Sequence, residues 1–96
     1  MKIEFLEAAQ TELDQAFEWY ETQQKDLGMQ FLNEFDAAVR RIIRYPESYI
    51  LIGKEVRRCL VKRFPYGILY GIDVGKIIVI AVAHLHRKPD YWIDRA

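Results

Sequence analysis

Apolar residues recur along this chain at two different spacings. Lys2–Leu6 alternates, with Ile3 and Phe5 on one side, the period of a short strand. From about Ala8 the spacing lengthens. Ala9, Leu13, Ala16, Phe17 and Tyr20 repeat at three and four, while Glu12, Gln15, Glu18 and Thr22 fall elsewhere, which predicts an amphipathic helix. Thr11 with Asp14 resembles a capping box, although the apolar repeat starts before it. Lys25–Gly28 interrupts the helix, with lysine near its end and glycine just beyond. A second stripe of Phe31, Phe35, Ala38, Val39, Ile42 and Ile43 predicts a second helix that ends before Pro46. Arg40, Arg41 and Arg44 crowd its last turns, where the helix dipole favours positive charge. So short a connection predicts an antiparallel helix hairpin.

Beyond "PESYILIG" the period shortens again. Val56–Phe64, Gly67–Asp73 and Lys76–Leu85 are rich in β-branched and aromatic residues, and the stretches between them carry Pro65, Tyr66 and Gly75. Three antiparallel strands joined by tight hairpins are expected. Lys76–Leu85 is apolar on both parities, the mark of a strand covered on both faces and therefore central. The helix hairpin covers one face, and the first strand adds to the free side of the sheet. The predicted fold is α+β, in the order β-α-α-β-β-β, with a helix hairpin packed on a small, mainly antiparallel sheet. Residues 1–96 form one domain in this reading, too short for a second one.

Composition narrows the class. The chain is 51% hydrophobic and 29% charged, a globular balance rather than a disordered one. Its longest apolar run, Ile77–Ala83, falls far short of the roughly 20 residues that span a bilayer. The start shows no signal-peptide pattern, and Cys59 is the sole cysteine, which rules out an internal disulfide and a multi-cysteine zinc site. A cytoplasmic protein without membrane contact is expected. Net charge is zero but unevenly spread. Residues 1–39 carry two bases against nine acids, and residues 40–96 carry twelve bases against five acids. Such asymmetry fits either a basic surface for an anionic partner or acidic helices neutralising a basic sheet.

The basic half concentrates its chemistry in two places. "HLHRKPDYW" (His84–Trp92) holds both histidines, an Arg-Lys pair and two aromatics. His84 and His86 share a parity if the strand continues through them. A metal would need more ligands than this pair, and Asp90 is the sole candidate nearby, so no metal or cofactor is expected. His84 reads as a strand-end imidazole satisfied by neighbouring backbone or a carboxylate, and His86 and Arg87 as exposed. Pro89 stops the ladder. Tyr91 and Trp92 fold back onto apolar surface, or Trp92 inserts into a partner. The second place is Arg57, Arg58, Lys62 and Arg63, expected on one strand. Arg58 and Lys62 would share a face with Leu60, and Arg57 and Arg63 the other with Cys59 and Val61. These cations either blunt a sheet edge or form a rim that docks an acidic segment. The expected partner contacts are Arg57, Arg58, Lys62, Arg63, His86, Arg87 and Trp92.

Four stretches, "AFEWYETQQKDLGMQFLNEF", "RRIIRYPESY", "VRRCLVKRFPYGILYGID" and "AVAHLHRKPDYW", in this order and spacing, resemble the RelE/ParE superfamily, the toxins of type II toxin–antitoxin modules. The resemblance runs from about Ile3 to Trp92. It implies a helix hairpin on a small sheet, a cognate antitoxin, and a dimer or a toxin–antitoxin heterotetramer. RelE-like members cleave messenger RNA on the ribosome, whereas ParE-like members inhibit DNA gyrase. Cleavage needs a base, an acid and positive charge for the phosphorane. Arg58, Lys62, His84, His86, Arg87 and Tyr91 are the residues available for it. RelE-like cleavers, however, carry an arginine after the tyrosine that opens the second strand of the hairpin set, and here Tyr66 is followed by Gly67. The ParE-like branch is therefore favoured, with no catalytic residue. A degenerate toxin that retains antitoxin binding and assists operon repression is the third reading.

Overall fold

The computed structural model describes residues 1–96. β1 (Lys2–Phe5) leads into α1 (Glu7–Gln23) and α2 (Leu27–Arg44). Four strands follow: β2 (Ile50–Gly53), β3 (Val56–Leu60), β4 (Tyr66–Asp73) and β5 (Lys76–His84), before a short 3-10 turn at Ile93–Arg95. They form one sheet in the order β1-β5-β4-β3-β2. β1 runs parallel to β5, and every other neighbouring pair is antiparallel. The expected α+β arrangement is present, including β1 on the free side of β5. One strand, β2, is additional to it.

Local chemistry explains most boundaries and moves a few. α1 starts at Glu7, an acid in the first turn, so Thr11 and Asp14 lie inside the helix rather than at its cap. Asp14 instead accepts from Gln10 Nε2 at 3.0 Å. Between the helices the left-handed residue is Asp26, with φ 69°, not the expected glycine. Gly28 sits in the first turn of α2 for a different reason. A Cβ there would lie 2.6 Å from Glu21 Cγ and 2.7 Å from the Phe17 carbonyl oxygen, so its bareness lets the two helices touch. Glu21 Oε1 accepts the Gly28 N–H at 2.8 Å across this junction. Gly75, at φ 72°, serves the two-residue turn between β4 and β5.

The strand expected over Val56–Phe64 ends at Leu60, and Arg63 takes a positive φ of 70°. Lys62 and Arg63 therefore belong to the β3–β4 turn, and the predicted sharing of strand faces does not extend to them. The sheet buries both of its faces. Between helices and sheet lie Ala9, Leu13, Phe31, Phe35, Ile42, Tyr70 and Val79, among others. On the opposite face Val56, Leu69, Ile80, Ala81, Ala83 and Trp92 form a smaller core. β5 contributes to both, as its unbroken apolar run predicts.

Candidate functional site

β5 is nine residues long and β1 only four, so β5 outruns its parallel neighbour. The last paired residues are Phe5 and Val79. Just beyond, Leu69 pairs with Ala81 while Tyr70 pairs with Val79, which makes Ile80 the extra residue of a bulge. The backbone of β5 past this point would present unpaired polar groups along an apolar rim. Two side chains from opposite ends of the chain take them. Glu12 Oε1 accepts the Val82 N–H at 3.0 Å, and Arg95 Nη1 donates to the Ile80 carbonyl at 3.3 Å.

Glu12 is also the centre of a charged clasp. Arg95 donates to both of its carboxylate oxygens, at 2.7 and 3.3 Å, and Arg87 Nη1 donates to Oε2 at 3.3 Å. The Glu12 side chain is 9% exposed, so this is a largely desolvated ion pair, held by hydrogen bonds to both oxygens. The Tyr91 ring lies between the cations, 3.7 Å from Arg87 Cζ and 5.0 Å from Arg95 Cζ. The Tyr91 hydroxyl is buried without a well-formed hydrogen bond. Burial, reinforced by the Glu12 carboxylate, pushes its pKa well above the usual tyrosine range. Its hydrogen bond to the Glu12 carboxylate, helped by that carboxylate's charge, raises the Arg95 pKa against the opposing effect of burial.

The clasp holds the tail across the second face of the sheet. Trp92 is 5% exposed there, and a Cβ on Gly53 would meet its Cη2 at 2.8 Å, so the indole reaches as far as β2. Folding back is thus the observed fate of Trp92. It forms core, and its expected role as an exposed partner contact is corrected by that burial. His84 ends β5 and accepts the His86 N–H on Nδ1 at 3.1 Å, as a satisfied strand-end imidazole should. The strand stops before His86, and no group of three or more potential metal ligands gathers anywhere in the chain.

The other expected contact residues part company. Arg57 donates to the carbonyls of Glu47 and Tyr49 at 3.0 and 2.7 Å, tying down the loop before β2. Arg63 reaches back to α2, 2.9 Å from Gln30 Oε1 and 3.6 Å from Glu34. Arg58 lies on the opposite face, its stem laid over Gly67, where a Cβ would stand 3.1 Å from Arg58 Cγ and Cδ. With His84, Arg87, Lys88 and Tyr91 it lines a cleft of about 150 Å³ floored by Trp92. Lys62 is not in that cleft. It lines a groove on the far side of β3 with Arg41. Of the six residues available for RNA cleavage, then, four share a cleft, while His86 points outward and Lys62 lies elsewhere. Glu12, Arg95 and Arg41 escaped the sequence reading. Glu12 looks like one more polar position on a helix, and its partners are 70 and 83 residues away.

Fold and charge together define a small α+β domain, a helix hairpin braced on a sheet with cations along its rims. The family of the ParE toxin of the type II toxin–antitoxin system, parDE, matches residues 3–91, and the chain belongs to it. A solved structure, the chromosomal ParDE toxin–antitoxin system from P. aeruginosa, shares the fold with a TM-score of 0.79 at 12% identity, covering 90% of this chain and 97% of that one. No curated protein matches the sequence significantly. No helix is long and apolar enough to cross a membrane.

Proposed function

We propose that this toxin acts in the cytoplasm by binding rather than by catalysis, arresting growth through DNA gyrase, and that a cognate antitoxin neutralises it. The carrying observation is that the cleavage residues, although four of them share a cleft, are not free to act together. Arg87 is engaged with Glu12, the Tyr91 hydroxyl is buried, and Lys62 faces a different groove. A nuclease needs these groups converging on one phosphate. Membership of the ParE family supports gyrase as the target. Purified protein tests it: inhibition of gyrase supercoiling with programmed ribosomes left intact supports the proposal, and cleaved messenger RNA with unaffected gyrase refutes it.

The endoribonuclease reading keeps one specific support. Arg58 lies over Gly67 and shares a cleft with His84 and Arg87, so a guanidinium from the neighbouring strand stands beside the position where RelE-like cleavers carry theirs. The same ribosome assay decides it, with His84→Ala expected to abolish cleavage. A degenerate toxin is separated from both by expression without antitoxin, which it predicts to leave growth unchanged.

A further inference from the structure

α1 carries five acids, Glu7, Glu12, Asp14, Glu18 and Glu21, and no base. The carboxylates that pair with cations of this chain are Glu4, Glu12, Glu34 and Asp36, so Glu12 alone of the five is spent on a cation. Glu21 holds the Gly28 N–H instead. Glu7, Asp14 and Glu18 are exposed. Their spacing of seven and four puts them on one stripe of the helix, opposite the buried Ala9, Leu13 and Ala16. The acidic excess of this half of the chain is thus turned to solvent rather than spent on neutralising the sheet.

Beside that stripe stands Trp19, the most exposed aromatic residue of the chain at 59%. An exposed apolar residue standing by itself needs no explanation. Trp19 has company. One turn back, Gln15 and Ala16 join Tyr66, His84 and Arg87 in lining a hollow of about 130 Å³ between the helix and the end of β5. Gln15 and Trp19 are four residues apart on the helix, so the indole projects beside this hollow. A protruding tryptophan next to a small hollow walled by tyrosine and arginine has the composition of a binding hot spot.

We propose that this face of α1 docks a basic protein surface. An apolar side chain of the partner fills the hollow against Trp19, and its lysines or arginines meet Glu18 and Asp14. The acids decide the occupant. A nucleic acid would bring its phosphates to a helix whose charges are all negative. A second copy joined symmetrically would set two such helices against each other. Joined head to tail, copies would build rings or filaments. A basic protein surface satisfies the stripe and the indole together. Taking that partner to be the toxin's target rests on the binding reading above, whereas the face is read from its own chemistry.

Purified gyrase is the probe and fluorotryptophan the reporter, since the chain has two tryptophans, one exposed and one buried. On binding, the Trp19 fluorine resonance should shift and that of Trp92 should stay. Trp19→Ala and Glu18→Lys should each weaken binding about tenfold or more and relieve growth arrest, with the urea midpoint of the native chain. Asp73→Lys, which reverses an exposed acid outside this face, should change neither. Several results overturn the proposal: both variants binding gyrase or arresting growth as the native chain does, equal weakening by Asp73→Lys, an oligonucleotide that moves the Trp19 resonance, or self-association of the free chain that Trp19→Ala abolishes. Arrest that depends on Trp19 without any binding to gyrase refutes the gyrase target and leaves the face standing. A chain that neither binds gyrase nor arrests growth refutes both.

Discussion

The two rims of the sheet solve the same problem in opposite ways. At the β5 rim the chain spends its own charges: Glu12 from α1 and Arg95 from the tail take the backbone groups that β1 leaves uncovered, and the resulting clasp is largely desolvated. At the β2 rim an uncharged strand stands exposed, and the cations around it have no carboxylate partner. The same residue types are therefore structural at one edge and available at the other. What separates them is the reach of an acidic side chain. α1 carries Glu12 past the β5 rim, whereas no carboxylate of the chain pairs with Arg41, Arg58 or Lys62 near the β2 rim.

Trp92 links the rims, since the clasp anchors its segment while its ring covers Gly53. Removing it should give the largest effect. Trp92→Ala is expected to cost about 4 kcal/mol in urea denaturation, through loss of a buried indole and the cavity left behind. Glu12→Ala comes next, at about 3 kcal/mol, because it leaves Arg95 and the Val82 N–H without their acceptor. Hydrogen exchange across Leu85–Ala96 should accelerate in that variant and stay unchanged at β2. Equal acceleration at both rims would break the comparison.

The approach to β2 has its own sensitivity, to alkali. The Tyr70 hydroxyl donates to the Pro46 carbonyl at 2.5 Å. Burial first, and the nearby Cys59 thiol second, push its pKa from 10.0 up to about 12, against the pull of Arg57. A pKa raised on folding means the native state holds the proton more tightly. The stability contributed is full below pH 10 and is lost as pH climbs toward 12. Denaturation midpoints measured across that window should fall in the native chain and fall less in Tyr70→Phe, which itself costs about 1 kcal/mol at neutral pH. The smallest effect belongs to the open rim. Leu60→Lys and Lys62→Glu should change stability by less than about 0.5 kcal/mol, since both side chains face solvent. A larger loss would make these residues structural and remove the contrast.

Much of this was legible in the residues. The helices, β4 and β5 follow from the three-four repeat and from the apolar run that buries both faces, and the return of Tyr91 and Trp92 was expected, although β5 ends at His84, before the Pro89 that was expected to stop it. β2 was not, because four residues, three of them exposed, give no period. Arg57 and Arg63 show why the site was harder than the fold. Their charges read as a binding rim, yet tertiary structure spends one on loop carbonyls and the other on α2. Nothing local distinguishes them from Arg58 and Lys62. The clasp was invisible for a related reason: it joins residues near opposite ends of the chain, beyond any helical or strand repeat.

Amide hydrogen exchange on the free chain tests the central contrast most directly. The account predicts that the Val82 amide, capped by Glu12, exchanges only through opening close to global unfolding, while the Leu51 and Leu60 amides exchange far faster. Protection of equal depth at both rims, or a Val82 amide that exchanges as freely as Leu60, would contradict it.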